Sequence, residues 1–245
     1  MAPDEIITST KNPAVTAATR LHRSRHRRDT RRTLIEGPSV VAEALAGGAI
    51  VHEIYVLESD TAPVAWGGPT RWVSEAVLRT LAGTETPRGP VAVISIPAGA
   101  IPTSRPLLVA WGVSDPGNCG TLIRSAAAFG YGYVAGPDSA DSWSPKVLRS
   151  AAGGHFHTSV GAIESISELV SIELIGTVAR GGGAPGPVSA GEALLIGSEA
   201  HGLPPAVVAA CSRVVTIPMP GGTESLNAAV AGSIAAFLGT LPGRD

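Results

Sequence analysis

Aromatic residues are scarce, 4% of the chain, and cysteines number two, Cys119 and Cys211. Far apart in sequence and without C-x-x-C spacing, the two thiols argue against a disulfide framework or a zinc ribbon. No apolar run approaches the roughly 20 residues that a membrane-spanning helix needs. The opening MAPDEIITST has acids where a secretory leader would carry a basic region and then an apolar one, so the expected location is cytoplasmic. No G-x-x-x-x-G-K-[ST] phosphate loop occurs, and GYGYVAG lacks the G-x-G-x-x-G spacing of a dinucleotide or doubly wound methyltransferase site. The histidines do not form a ligand set either. His155 and His157 flank Phe156 at strand spacing, on one face, with no third ligand nearby, so no metal is expected.

What is present is enough apolar residue, 44% of 245, to bury one large core or two modest ones. The net charge of -2 is unevenly spread. Residues 1–35 hold eight Lys/Arg against Asp4, Glu5 and Asp29, whereas the rest of the chain is acidic. In RLHRSRHRRDTRR, Arg20, Arg23, Arg25, Arg27, Arg28, Arg31 and Arg32 fall close together. Arginine pairs with phosphate in fork geometry, so this basic helix is a candidate polyanion footprint, with a solvated basic face as the alternative.

The first hundred residues predict a small α/β unit. Strands are expected at 33–37, 51–57, 70–74 and 89–96, with helices at 38–48, where Pro38 suits a first turn, and at 74–83, closed by glycine. The stretch 97–106 contains three prolines that block helix and central strand alike. Domains are therefore expected at 1–98 and 107–245, with 99–106 as linker. From 107 onward strands at 107–113, 131–136, 174–179, 193–198 and 213–218 alternate with glycine-rich turns and helices, which predicts a mainly parallel sheet covered on both faces. A long helix rich in small residues, 225–241, closes the chain.

Functional loops in such sheets lie at the carboxyl ends of strands. Three segments qualify: 114–130, 196–204 and 217–232. In the first, Asp115-Pro116-Gly117-Asn118 forms a turn before a helix bearing Arg124, and Asn118 suits an N-cap as well as a site. In the second, Glu199 sits in a tight glycine loop. In the third, Ser225 opens a helix with Asn227 in its first turn, and Ser225 equally suits a plain N-cap.

In this order and spacing the segments resemble the three signature motifs of the SpoU (TrmH-like) branch of the SPOUT methyltransferases. Asp115, Asn118, Gly120, Arg124, Ala126, Phe129 and Gly130 match the first motif; Gly197, Glu199, Gly202 and Leu203 the second; Ile217, Pro218, Met219, Gly221, Ser225, Leu226 and Asn227 the third. The N-terminal part resembles the family's substrate-binding domain through Asn12-Pro13, Glu36-Gly37-Pro38 and TPRGPVAV.

The resemblance implies an α/β fold: a parallel-sheet SPOUT domain with a deep trefoil knot, preceded by a small ribosomal-protein-like α/β domain. It implies 2'-O-methylation of a ribose in RNA, with large-subunit ribosomal RNA as the expected substrate, transfer RNA as the other substrate and a non-enzymatic RNA-binding or assembly protein as the other class. S-adenosyl-L-methionine is the implied cofactor, with contacts near Thr177, Gly197, Ile217 and Leu226. Arg124, Asn118, Glu199, Ser225 and Asn227 are the implied catalytic residues. Guanidinium stays protonated, so Arg124 is read as a clamp on phosphate and a stabiliser of oxyanion charge, with the group that removes the ribose proton left open. The arginines of residues 20–32 would bind RNA, and a homodimer would form around the last helix. Arg149 precedes Ser150-Ala151-Ala152-Gly153, an order that departs from the family's serine-containing stretch and leaves its contact with substrate open.

Overall fold

A computed structural model describes residues 5–63, 66–99 and 101–242. The ends of the two expected domains, 1–4 and 243–245, and position 100 of the expected linker lie outside the described residues. The chain folds into two compact units. One comprises the chain up to Ala98 together with Trp143–Phe156; the other comprises Gly99–Ser142 and the chain from His157.

In the first unit, β1 (Ile6–Ile7) leads to α1 (Pro13–Thr19), a 3-10 turn (Arg20–His22), α2 (Ser24–Thr30) and β2 (Arg32–Glu36). Then come α3 (Pro38–Ala46), β3 (Val51–Leu57), β4 (Thr70–Val73), α4 (Glu75–Ala82) and β5 (Val91–Ser95). The strands form one sheet in the order β1-β4-β3-β5-β2. β2 and β3 both run antiparallel to β5, while β4 runs parallel to β3 and β1. Both faces are covered, so β2, β3 and β5 bury consecutive residues rather than alternate ones, Thr33–Ile35, Ile54–Val56 and Val91–Ile94. Along β5, Val91 and Val93 face a layer with Val15, Leu21, Val77 and Leu81 of the helices, and Ala92 and Ile94 face a layer with Val41, Ala44 and Leu148. Each large side chain so buried contributes about 1.5–3 kcal/mol.

Leu148 belongs to the helix Pro145–Ala151, which packs beside β2. Thr33 Oγ1 donates to the Trp143 carbonyl at 2.7 Å, and Arg149 Nη2 donates to Glu36 Oε2 at 2.8 Å and to the Ala82 carbonyl at 3.2 Å. This segment guards the outer edge of β2, whose unpaired backbone groups would otherwise invite another strand.

The basic run is not one helix. Arg23 is extended (φ -90°, ψ 127°) and separates the 3-10 turn from α2, which ends at Arg31 in the left-handed region (φ 53°). His155 and His157 do not share a strand face, because Gly154–Phe156 forms a 3-10 turn. Strand spacing was the wrong period for a segment that curls after Gly153, whose φ is +92°.

The second unit contains β6 (Leu107–Trp111), α5 (Pro116–Phe129) and β7 (Gly132–Ala135), followed in chain order by the helix Pro145–Ala151, numbered α6. Then come β8 (Val160–Ala162), β9 (Glu173–Thr177), β10 (Glu192–Gly197), α7 (Pro205–Ala210), β11 (Arg213–Val215) and α8 (Ala228–Gly239). Its six strands lie in the order β11-β9-β10-β6-β7-β8, and every neighbouring pair is parallel. After β6 the chain moves outward to β7 and β8, then crosses to β9 on the other side of β6, and β10 inserts between β9 and β6. The reversal opens a crevice at the carboxyl ends of β6 and β10, the place where open parallel sheets hold ligands. No described helix is long and apolar enough to cross a membrane.

Candidate active site

Three strand ends and the start of one helix supply the site. A cavity of about 420 Å³ is lined by Thr177 to Ala179 after β9, by Gly197 to Leu203 after β10, by Ile217 and Met219 after β11, and by Ser225, Leu226, Ala228 and Ala231 around the start of α8. The volume lies within the range of small-molecule sites, and the wall combines backbone, aliphatic side chains and one carboxylate. Thr177, Gly197, Ile217 and Leu226 all line it.

The β10 loop is tight. The Gly202 amide donates to the Ser198 carbonyl at 2.9 Å, and a side chain at Gly197 would collide with the carbonyl carbon of Gly202 and the amide nitrogen of Leu203. Glycine here lets two backbone strands meet and leaves peptide groups, not side chains, along the wall. Thr177 Oγ1 donates to the Leu195 carbonyl at 2.8 Å, which ties β9 to β10 beside the cavity.

Three polar side chains from three segments meet at the mouth. Asn118 Nδ2 donates to Glu199 Oε1, and Asn227 Nδ2 donates to Asn118 Oδ1 at 3.0 Å. The direction of this chain is fixed at one end. Asn227 Oδ1 accepts the amides of Ala229 at 3.0 Å and Val230 at 3.2 Å, so its nitrogen must face Asn118. Asn118 then has its oxygen occupied, and its nitrogen is presented to Glu199, an arrangement suited to an ionised carboxylate.

The helix caps differ from the sequence expectation. Asn227 caps α8, and Ser225, two residues earlier, lies in the cavity wall instead. Asp115 caps α5, accepting the Asn118 amide at 2.8 Å, with Pro116 in the first turn. The signal was legible in Asp-Pro, since a proline at the first helical position marks the residue before it as the cap. Cys119 is buried, its thiol donating to the Val113 carbonyl at 3.0 Å, and burial pushes its pKa up, so it serves packing rather than nucleophilic chemistry.

Arg124 projects from the exposed side of α5. Among the described residues none hydrogen-bonds or ion-pairs with it, so neither Asn118 nor Glu199 orients it here. Of the arginines in residues 20–32, Arg20, Arg23, Arg25, Arg28, Arg31 and Arg32 are exposed. Arg27 is 3% exposed, with Nη1 donating to the Leu21 carbonyl at 2.7 Å, and so fastens α2 to the preceding turn. Arg149 is held inside the first unit by Glu36 and Ala82. His201 also lines the cavity, and no local motif had marked it. Among the described residues no group of three or more His, Cys, Asp or Glu is arranged to hold a metal ion.

Residues 105–237 match the SpoU rRNA Methylase family, and residues 12–92 match the MRM3-like substrate binding domain. The chain is 36% identical, over 94% of its own length and 97% of the relative's, to the 23S rRNA (guanosine(2553)-2'-O)-methyltransferase RlmP of Bacillus subtilis (strain 168). A crystal structure of an RNA 2'-O ribose methyltransferase superposes with a TM-score of 0.81 at 29% identity, covering 96% of this chain and 98% of that one. The SpoU methyltransferase AviRb from Streptomyces viridochromogenes, in complex with AdoMet, superposes with a TM-score of 0.83 at 26% identity, covering 94% and 97%.

Proposed function

The chain belongs to the SpoU rRNA Methylase family, and on that premise we propose that it methylates a ribose 2'-hydroxyl in large-subunit ribosomal RNA, using S-adenosyl-L-methionine. The observation that carries the reading is the meeting of three separate segments, through Asn118, Glu199 and Asn227, at the mouth of one cavity beside the switch point of a parallel sheet.

The cavity suits the cofactor. Its volume of about 420 Å³, backbone-lined β10 loop, aliphatic Ile217, Met219 and Leu226, and acidic Glu199 match an adenosine body carrying a sulfonium charge. Thr177, Gly197, Ile217 and Leu226 would hold it, and when bound it supplies an electrophilic methyl group. The trefoil knot belongs to this reading as the feature that would keep the β10 and β11 loops rigid.

The protein's own groups then have three tasks. The amide chain Asn227-Asn118-Glu199 locks the first turns of α5 and α8 against the β10 loop, so the walls are preorganised before RNA arrives. Arg124, lacking a partner among the described residues, is available to grip the phosphate next to the target ribose and to stabilise negative charge developing on its 2'-oxygen. Ser225, in the wall, offers a hydroxyl to the ribose or cofactor. The exposed arginines Arg20, Arg23, Arg25, Arg28, Arg31 and Arg32 supply phosphate contacts in the first unit.

A homodimer around α8 is part of the proposal. Val230 and Phe237 on that helix and Leu241 just beyond its end are 46%, 48% and 42% exposed, apolar groups that pairing would cover.

The test is methylation of unmodified 23S rRNA by the purified protein with labelled cofactor, followed by mapping of the 2'-O-methyl position. Arg124→Ala is expected to lower turnover by at least about 100-fold while cofactor binding by calorimetry stays intact. Wild-type turnover in that variant would remove Arg124 from the chemistry. Labelling of transfer RNA alone would reassign the substrate.

A further inference from the structure

β3 starts with an irregularity. Val51 pairs with Ile94 and Glu53 pairs with Val93, so His52 is one residue too many for the partner strand. Such a β-bulge re-aims a side chain. Counted in twos from Ile54, which lies in the layer with Val41 and Ile94, a regular strand would send His52 to that same layer. Val51 takes that place instead, and His52 Nε2 comes to 2.9 Å from Ser95 Oγ. Ser95 is opposite Arg32 in the β2–β5 pairing, and Leu34 and Val93, two residues further in, share the other layer. The bulge thus gathers a guanidinium, an imidazole and a hydroxyl at one end of the sheet.

We propose that Arg32, His52 and Ser95 form a phosphodiester-binding site that takes the backbone of the RNA substrate. The inference rests on the reading of the first unit as RNA-binding, and extends it from the basic run, of which Arg32 is the last member, to His52 and Ser95, which no basic run marks. All three side chains can present donors to one anion. No described carboxylate ion-pairs with Arg32. Glu53, the acid nearest His52, is already engaged by the Tyr55 hydroxyl at 2.8 Å and by Arg71 Nε at 2.6 Å. Arg31, next in sequence, donates to the Pro97 carbonyl at 2.5 Å and fixes the strand end beside Ser95.

Without an anion the grouping stabilises little. Burial and then the Arg32 charge lower the His52 pKa below its usual value, against a smaller opposite effect of Glu53. A phosphate placed between Arg32 and His52 reverses the sign, favouring the imidazolium. RNA binding should therefore take up a proton, and affinity should rise as pH falls towards 6.

Filter binding of an unmodified 23S rRNA transcript tests this. Wild-type affinity is expected to rise about fivefold between roughly pH 8 and pH 6, and His52→Gln to be flat over that range. At the lower pH, His52→Gln should bind about fivefold more weakly and reduce the salt slope by roughly 1. Ser95→Ala should weaken binding about twofold to threefold. Both variants should bind S-adenosyl-L-methionine like wild type. Arg25→Ala/Arg28→Ala in α2 reports on the underlying reading. If that pair weakens binding while His52→Gln and Ser95→Ala match wild type at every pH, the phosphodiester site is wrong and RNA binding by the first unit stands. If all of these variants match wild type, both ideas fail. Loss of cofactor affinity in His52→Gln would assign His52 to folding and overturn the site.

Discussion

Asn227 shows how a single side chain serves both helix and site. Its oxygen caps α8 through Ala229 and Val230, and its nitrogen sets the orientation of Asn118. Aspartate caps a helix about as well as asparagine, yet it has no hydrogen to donate. Asn227→Asp should therefore keep the melting temperature within about 2 °C while turnover falls roughly tenfold. Thermal melts and methylation rates check this, and a variant with unchanged turnover would reduce Asn227 to a cap. The sequence made Asn118, Glu199 and Asn227 legible as motif residues. It did not reveal their mutual hydrogen bonds, because partners 81 and 109 residues apart leave no local pattern. Arg27 was hidden for a related reason: in a basic run every arginine reads as solvent-facing, and only packing singles out the one whose head reaches the Leu21 carbonyl.

At the scale of elements, legibility followed length. Strands of four or more residues were expected from the sequence, whereas β1 and β8, of two and three residues, are too short to show a period; β11, also of three residues, was legible because it opens the longer stretch RVVTIP. The bulge at His52 was equally hidden, since an extra residue is defined only against a partner strand. The β10 loop gives the sharpest test of an element. A methyl group at Gly197 would strike backbone atoms of Gly202 and Leu203, which cannot move aside as a side-chain tip can. Gly197→Ala is expected to cost about 1–3 kcal/mol by overpacking and to weaken cofactor affinity more than tenfold. Denaturant titration and calorimetry measure both; an unchanged cofactor affinity would show that the loop does not shape the site. Close approach also governs α5 and α8, where Ser125 Oγ lies 2.6 Å from Ser233 Oγ and a Cβ at Gly232 would collide with Leu122. That crowding explains the small residues of the last helix without any reference to a partner.

The opposite face of that helix belongs to the scale of the whole molecule. Phe237 packs against Phe129 with ring centroids 5.7 Å apart, yet stays about half exposed. Light scattering at micromolar concentration should give a mass near twice 24.7 kDa, and Phe237→Asp should halve it. A wild-type monomer would end the dimer proposal. Sequence order predicted domains as contiguous stretches, because composition and prolines mark where a chain changes character and not where a segment packs. Trp143–Phe156 illustrates the difference: the stretch interrupts the parallel-sheet unit in sequence but is built into the other unit through Leu148, Arg149 and the Trp143 carbonyl. A boundary in sequence is thereby not a boundary between units. A gene fragment cut at residue 105 would carry this segment away from β2 and leave an incomplete first unit with a bare sheet edge. A fusion made at residue 105 is therefore expected to transfer the first unit only in part, and an intact exchange would have to carry Trp143–Phe156 along with the N-terminal stretch.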